Sequence, residues 1–273
     1  YRQRGAPAAA QASGSSASIE NVQAFTNYDG LYSGNGGALS GCSAQDNLRY
    51  GIHTLYNNTL SGCSARRNGD IGILSSGGSA LQGCASGDNG DAGIYVGSGC
   101  ALDSCAAEFN DGVGINTGGS CSLNNCAAFQ NGDDGINTDD GCSLRNCAAQ
   151  INRGDGIQAG NSSTLAGCAV QFNTGDGIRI FSSDCHVFEN QCKNNGYLTG
   201  DGAGIHVYGN DNRIEGNNLT SNDRGLDVDD DGNLIVRNSA SGNTTNYVIA
   251  VSNAVGSIQT TPVGAGAWDN FSF

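Results

Sequence analysis

Cysteine recurs at Cys42, Cys63, Cys84, Cys105, Cys126, Cys147 and Cys168, each 21 residues after the last. Three further columns keep the same step: Leu39, Leu60, Leu81, Leu102, Leu123, Leu144 and Leu165; Asn47, Asn68, Asn89, Asn110, Asn131, Asn152 and Asn173; Ile52, Ile73, Ile94, Ile115, Ile136, Ile157 and Ile178. Columns in register over so many repeats confine the chain to an architecture in which like residues stack. A unit this short has no run of helix formers, so it must be made of short strands joined by turns. Ile94 and Val96, like Ile178 and Ile180, alternate with polar residues, the period of a strand with one face inward. Stacked coils set like residues about 4.8 Å apart. Leu, Ile and Cys therefore predict internal ladders, and Asn predicts a structural ladder of side-chain amides at a bend. Gly before the ladder Ile, as at Gly93, Gly114, Gly135, Gly156 and Gly177, is expected to supply the backbone freedom of a corner.

The fold class is all-β: a single-stranded right-handed parallel β-helix (β-solenoid) of about ten rungs of 21 residues. Residues 18–242 form the helix. Its end rungs are degenerate, with Val22 near the first cysteine position and Cys192, Ile205 and Leu226 continuing the ladders around an insertion at about 182–203. Residues 243–273 break the pattern, hold Trp268, Phe271 and Phe273, and are expected to cap the last rung, since a bare edge invites pairing. Residues 1–17, with the run Gly5-Ala6-Pro7-Ala8-Ala9-Ala10, read as a linker or docking segment.

With 44 Gly and 7% aromatics the chain cannot fill a core with bulk, so stacking must replace it. A net charge of −14, with Lys193 the one lysine, disfavours nucleic acid and anionic membrane as partners. No apolar run approaches the roughly 18 residues of a membrane span, so no membrane insertion is expected. The chain has no Met and opens Tyr1-Arg2-Gln3-Arg4, which reads as a mature form after removal of a targeting segment and predicts a secreted protein, extracellular or at the cell surface.

The phrase Asn-x-Gly-Asp-Gly-Ile, at Asn152–Ile157 and Asn173–Ile178, together with the ladders over residues 18–240, resembles the parallel β-helix repeat proteins of the pectate-lyase-like superfamily. The ending, from Asn222-Asp223-Arg224-Gly225-Leu226 through Gly232-Asn233-Leu234-Ile235 to Trp268-Asp269-Asn270-Phe271, resembles that of uncharacterised secreted bacterial β-helix proteins. The superfamily includes lyases, glycosidases, epimerases and non-enzymatic adhesins, so the resemblance implies a fold and export rather than one activity.

Several residues could carry chemistry. Asn137-Thr138-Asp139-Asp140 resembles the paired-carboxylate element of polygalacturonases, but that family's Gly-His-Gly and Arg-x-Lys elements are missing. A pectate-lyase-like elimination needs a basic residue beside a carboxylate cluster, and Arg179 or His206 near Asp176, Asp201 and Asp227 is the best grouping. An outward column follows the ladder Ile: Tyr32, His53, Leu74, Tyr95, Asn116, Asn137, Gln158, Arg179 and His206. Its aromatic, amide and basic members could hold an extended glycan. Asp134, Asp155 and Asp176 repeat in successive rungs, where like charges repel by roughly 0.9 kcal/mol per pair even in water. A bound cation would relieve that repulsion, making Ca2+ the cation to consider, although no cofactor is required. Gly87-Asp88-Asn89-Gly90-Asp91 hints at calcium-binding nonapeptides without their period.

The chain has 12 cysteines, and Cys100, Cys121, Cys142 and Cys185 form a second column. Their spacings do not match zinc sites. Buried thiol ladders and disulfides are both consistent with the pattern. Export favours the pairs Cys100–Cys105, Cys121–Cys126, Cys142–Cys147 and Cys185–Cys192. Uniform rungs without long loops predict a non-enzymatic structural or adhesive β-solenoid, self-associating end to end into filaments. The alternative is a polysaccharide lyase or hydrolase, or a glycan-binding module, with its site in the irregular rungs from Asp176 to Asp231.

Overall fold

The computed structural model describes residues 10–12, 16–196 and 202–273. Most of the N-terminal segment and Asp201 lie outside the described residues. The chain forms two compact units, residues 1–133 and 134–273. Among the described residues every regular element is a strand, and no helix is long and apolar enough to cross a membrane.

In the first unit one turn runs Ile73–Ser75, Ala80–Gln82, Ala85–Gly87, and the next begins at Ile94–Val96. Successive turns pair in parallel, Ile73 with Ile94, Leu81 with Leu102 and Ser86 with Ala107, so three parallel sheets of three-residue strands wrap one core. The second unit repeats the plan from Ile136–Thr138, with Ile157 paired to Ile178 and Leu144 to Leu165. Leu39, Leu60 and Leu81, Ile52, Ile73 and Ile94, and the ladder cysteines are all buried. The expected stack of about ten rungs is present, with further strand pairing at both ends. Ala10–Ala12 pairs with Leu31–Ser33, and Thr245–Ile249 pairs with Arg224–Val228, although neither carries the ladder signature. Residues 243–273 also place Ala254–Val255 and Asn270–Ser272 on the second and third sheets.

The asparagine ladder has the expected form. Asn68 Oδ1 accepts from the backbone N–H of Asn47 at 3.2 Å and from its Nδ2 at 2.9 Å, while Asn68 Nδ2 donates to the Ala44 carbonyl at 3.3 Å. Each bend thus satisfies buried backbone groups through the next rung's side chain. The glycine expectation is corrected. Gly93 does not have a positive φ; it is required by crowding, since a Cβ there would lie 2.5 Å from Asn110 Nδ2 and 2.7 Å from the Gly114 carbonyl. The left-handed conformation falls instead on the residue before the ladder Asn, such as Asp88 (φ 55°) and Phe109 (φ 57°).

All twelve cysteines are buried and free, so the four disulfides Cys100–Cys105, Cys121–Cys126, Cys142–Cys147 and Cys185–Cys192 are not formed. The two members of a pair belong to different columns, and their thiols face the preceding rung's backbone: Cys100 Sγ lies 3.5 Å from the Ser76 carbonyl and Cys105 Sγ 3.5 Å from that of Leu81. The thiols take over the amide's role at a bend. Cys100 Sγ accepts the Ser79 N–H and Cys121 Sγ accepts that of Cys100, just as Asn212 Oδ1 accepts that of Cys185. Cys192 is not in the Cys168 column. It pairs with Val170, and Asn190 accepts the Cys168 N–H, so a second asparagine ladder replaces the cysteines there.

Candidate functional site

In the first unit the outward column lies on one sheet, with Tyr32 beside His53, Leu74 between His53 and Tyr95, and Tyr95 beside Asn116. His53 meets Tyr32 and Tyr50 edge-on, both at 5.3 Å. Arg49 lies over Tyr28 and Tyr50 and grips Asp29 at 2.6 Å. Tyr95 and Leu74 join Tyr56 in an open groove of about 560 Å³. This surface is aromatic and short of acid–base groups.

In the second unit the acidic and outward columns meet, as the grouping of Arg179 or His206 with Asp176 and Asp227 anticipated; Asp201 lies outside the described residues. Asp134, Asp155 and Asp176 are buried. The Oδ1 of Asp134 accepts the Asp155 N–H, that of Asp155 the Asp176 N–H, and that of Asp176 the Ala203 N–H, each at 2.7 Å. The remaining oxygens face the outward column. Gln158 Nε2 donates to Asp134 at 2.7 Å and Asp155 at 3.1 Å, Arg179 reaches Asp155 at 3.4 Å, and His206 Nδ1 lies 3.1 Å from Asp176 Oδ2. The repulsion that a cation was expected to relieve is met by these donors. Burial and the Asp176 charge still push the Asp155 carboxyl up.

The column runs one rung further than the sequence reading took it, because Asp227 pairs in register with His206. Asp227 is fully buried. It is held as an ion pair by Arg224 at 2.5 Å and lies 3.5 Å from His206 Nε2. Asp229, half-exposed, adds a contact to His206 Nε2 at 3.3 Å. Burial opposes charge on His206, but its hydrogen bond with Asp176 and the charges of Asp176, Asp227 and Asp229 outweigh that and raise its pKa. Its ring stacks on Tyr208 at 4.0 Å, and the Arg179 guanidinium lies 4.8 Å over the same tyrosine. Burial pushes the Tyr208 hydroxyl up. Arg179 Nε is buried without a hydrogen-bond partner. His206, Asp227 and Asp229 place ligand atoms within 4.8 Å of one another, a set able to hold a divalent cation.

The other candidates stay apart from this cluster. Asn137 pairs with Gln158. Asp139 and Asp140 sit exposed in the following turn, where Asp140 accepts the Asn161 N–H. The sequence reading missed Tyr208, Asp229 and Arg224. Asp227 was legible one residue after the ladder Leu226.

A chain of stacked three-stranded turns is a parallel β-helix in its architecture. It belongs to the right handed beta helix region family, whose profile matches residues 8–149 and 135–261. Comparison with curated proteins yields no match. Among solved structures, the A-module of the Azotobacter vinelandii mannuronan C-5 epimerase AlgE6 superposes with a TM-score of 0.74 at 15% identity, covering 99% of this chain and 84% of that one. The A-module of AlgE4 from the same organism gives 0.71 at 15% identity, over 86% and 79%. A mutant of the periplasmic alginate epimerase AlgG gives 0.59 at 15% identity, over 84% and 75%. The expectation of a non-enzymatic structural or adhesive solenoid is corrected by these comparisons. These three structures are epimerases of mannuronan or alginate, which favours the polysaccharide-acting alternative over that expectation.

Proposed function

We propose that this protein binds an acidic polysaccharide across the first sheet of its second unit and moves a proton at the carbon next to the sugar carboxylate. That chemistry is common to C-5 epimerisation and β-elimination. One observation carries the reading: His206, buried and held at both ring nitrogens by carboxylates, stacks on Tyr208 beside the cation of Arg179. The names of the structural neighbours, mannuronan and alginate epimerases, support the substrate class.

In this reading Arg179 pairs with the sugar carboxylate and lowers the cost of charge developing beside it. Asp229, open to solvent beside His206 Nε2, takes the proton, and the His206 ring, held between carboxylates, offsets their charge. Tyr208 keeps its own proton at neutral pH and supplies it to the opposite face or to the leaving oxygen. Asp176 fixes the ring of His206. Gln158 and Asn137, in register along the same sheet, contact neighbouring sugars. Such a substrate assigns the protein's work to the periplasm or the extracellular space.

The test is incubation with polymannuronate and with polygalacturonate in D2O, with and without calcium. NMR follows deuterium at C-5, and ultraviolet absorbance follows unsaturated ends. Turnover should fall by about 10²-fold or more in Tyr208→Phe and in Arg179→Ala. Binding without exchange or elimination would reduce the protein to a glycan-binding module. Chain shortening without deuterium uptake or unsaturation would make it a hydrolase.

A further inference from the structure

A second polar group lies on a different sheet of the second unit. The strands Arg213–Glu215 and Leu234–Val236 pair in register, with Ile214 and Ile235 buried and their neighbours turned outward. Glu215 accepts from Arg213 Nη2 at 2.8 Å and from Arg237 Nη2, and its other oxygen lies 2.8 Å from His186 Nε2. Two guanidinium groups thus share one carboxylate, in a chain whose net charge is −14. Glu189 in the adjoining turn is exposed to solvent, and Asp269, next to Trp268, accepts from Gln259 Nε2 and the Gly266 N–H.

Beside this group runs an open groove of about 410 Å³ with Leu234, Val236 and Val255 along it, Arg213 at its edge and Trp268 as its aromatic wall. Trp268 is 56% exposed, with Arg237 over its ring at 5.1 Å. The Arg213 side chain is partly open to solvent beside its Glu215 pair. The groove therefore offers an aromatic shelf, an aliphatic floor and a partly exposed guanidinium at its edge. A uronate sugar matches all three: its C–H face packs on indole and aliphatic carbon, and its carboxylate pairs with a guanidinium fork.

We propose that this groove is a separate binding site for a uronate residue of an acidic oligosaccharide. The substrate class rests on the preceding proposal; the site and its residues do not. Binding here would hold a polymer at a second point and raise the effective concentration of its other segments at the His206 cluster.

Trp268 is the chain's only tryptophan, so its emission reports this groove directly. The experiment titrates the full-length protein with oligomannuronate, oligogalacturonate and a neutral cello-oligosaccharide of equal length, with light scattering on the same samples. The expected result is a saturable change in emission with the uronates alone. It should weaken at least about tenfold in Arg213→Gln, whose amide can still donate to Glu215, and in Ala254→Glu, which places a negative charge at the exposed groove edge. Tyr208→Phe should leave it unchanged. A silent tryptophan with uronates that are nonetheless turned over would overturn this site and spare the proposed activity. Intact emission changes without turnover would do the reverse. An equal response to the neutral oligosaccharide, or a change that follows protein concentration and dimer formation, would also overturn the uronate assignment.

Discussion

The two units share a rung plan and differ most in chemistry at the position two residues before the ladder Leu or Ile. In the first unit that position holds Asp29, Tyr50, Ile71, Ala92 and Val113; in the second it holds Asp134, Asp155 and Asp176, then Ala203 and Arg224. The second unit's three carboxylates each cap a backbone N–H of the next turn and leave an oxygen for the outward column. Chemistry enters the second unit without any change of backbone plan: an acidic column is laid beside an amide and basic one. The first unit keeps an aromatic surface around Tyr32, His53 and Tyr95.

The widest gap between the units is expected at Asp227. Asp227→Ala leaves Arg224 and His206 facing a buried hole, and denaturant unfolding should show a loss of about 3–5 kcal/mol. Tyr95→Ala, at an exposed position of the first unit's column, should change stability by about 0.5 kcal/mol or less. Next comes a transplant. Ala92→Asp gives the first unit the second unit's carboxylate, but the residue 24 positions on is Asn116, where Asp155 has Arg179. It should cost roughly 1–3 kcal/mol at neutral pH, less as the pH falls and the new carboxyl protonates, and Asn116→Arg should restore most of the loss. If Ala92→Asp alone is neutral, the outward partners are not what makes the acidic column tolerable.

The histidines sharpen the comparison through pH. Burial lowers the His53 pKa below the ordinary 6.5, so its contribution to stability is present above that value and lost as the pH falls through it toward the folded pKa. His206 is raised, so its contribution is present below 6.5 and lost as the pH rises through the folded pKa. NMR titration should place the two on opposite sides of 6.5; both on one side would erase the contrast. The smallest effect is expected at the solvent-exposed Arg67–Asp46 pair, where Arg67→Ala should leave the midpoint of thermal or chemical unfolding unchanged.

The fold was legible because Leu39, Ile52, Cys42 and Asn47 repeat at one spacing, and only a parallel stack uses such repetition. Legibility stopped where the spacing slipped. From Asn173 to Asn195 the step is 22 and from Asn195 to Asn222 it is 27, so Cys192 was read into the column that Asn190 occupies. Half of the candidate site was visible as two columns, Asp134–Asp155–Asp176 and Gln158–Arg179–His206, and the grouping of Arg179 or His206 with Asp176 and Asp227 was legible, but not that the contact runs along all three carboxylates. Tyr208 and Asp229 lie past the end of the repeat phrase, where no column marks them. The Trp268 groove was invisible because its wall comes from the tail and its cations from rungs without the signature.

Bend side chains as different as Asn68, Ser79, Cys100 and Asn212 each hand an oxygen or sulfur to the rung before. The coil is thus written in interchangeable words rather than in letters. Removing a whole 21-residue word from the uniform stretch leaves every remaining donor facing an acceptor of the right kind. Removing a single residue inside a word puts all later side chains out of frame. Length in such a chain can change in large steps while composition within a step is held, and extra residues are admitted after the ladder Asn, as between Asn195 and Ala203.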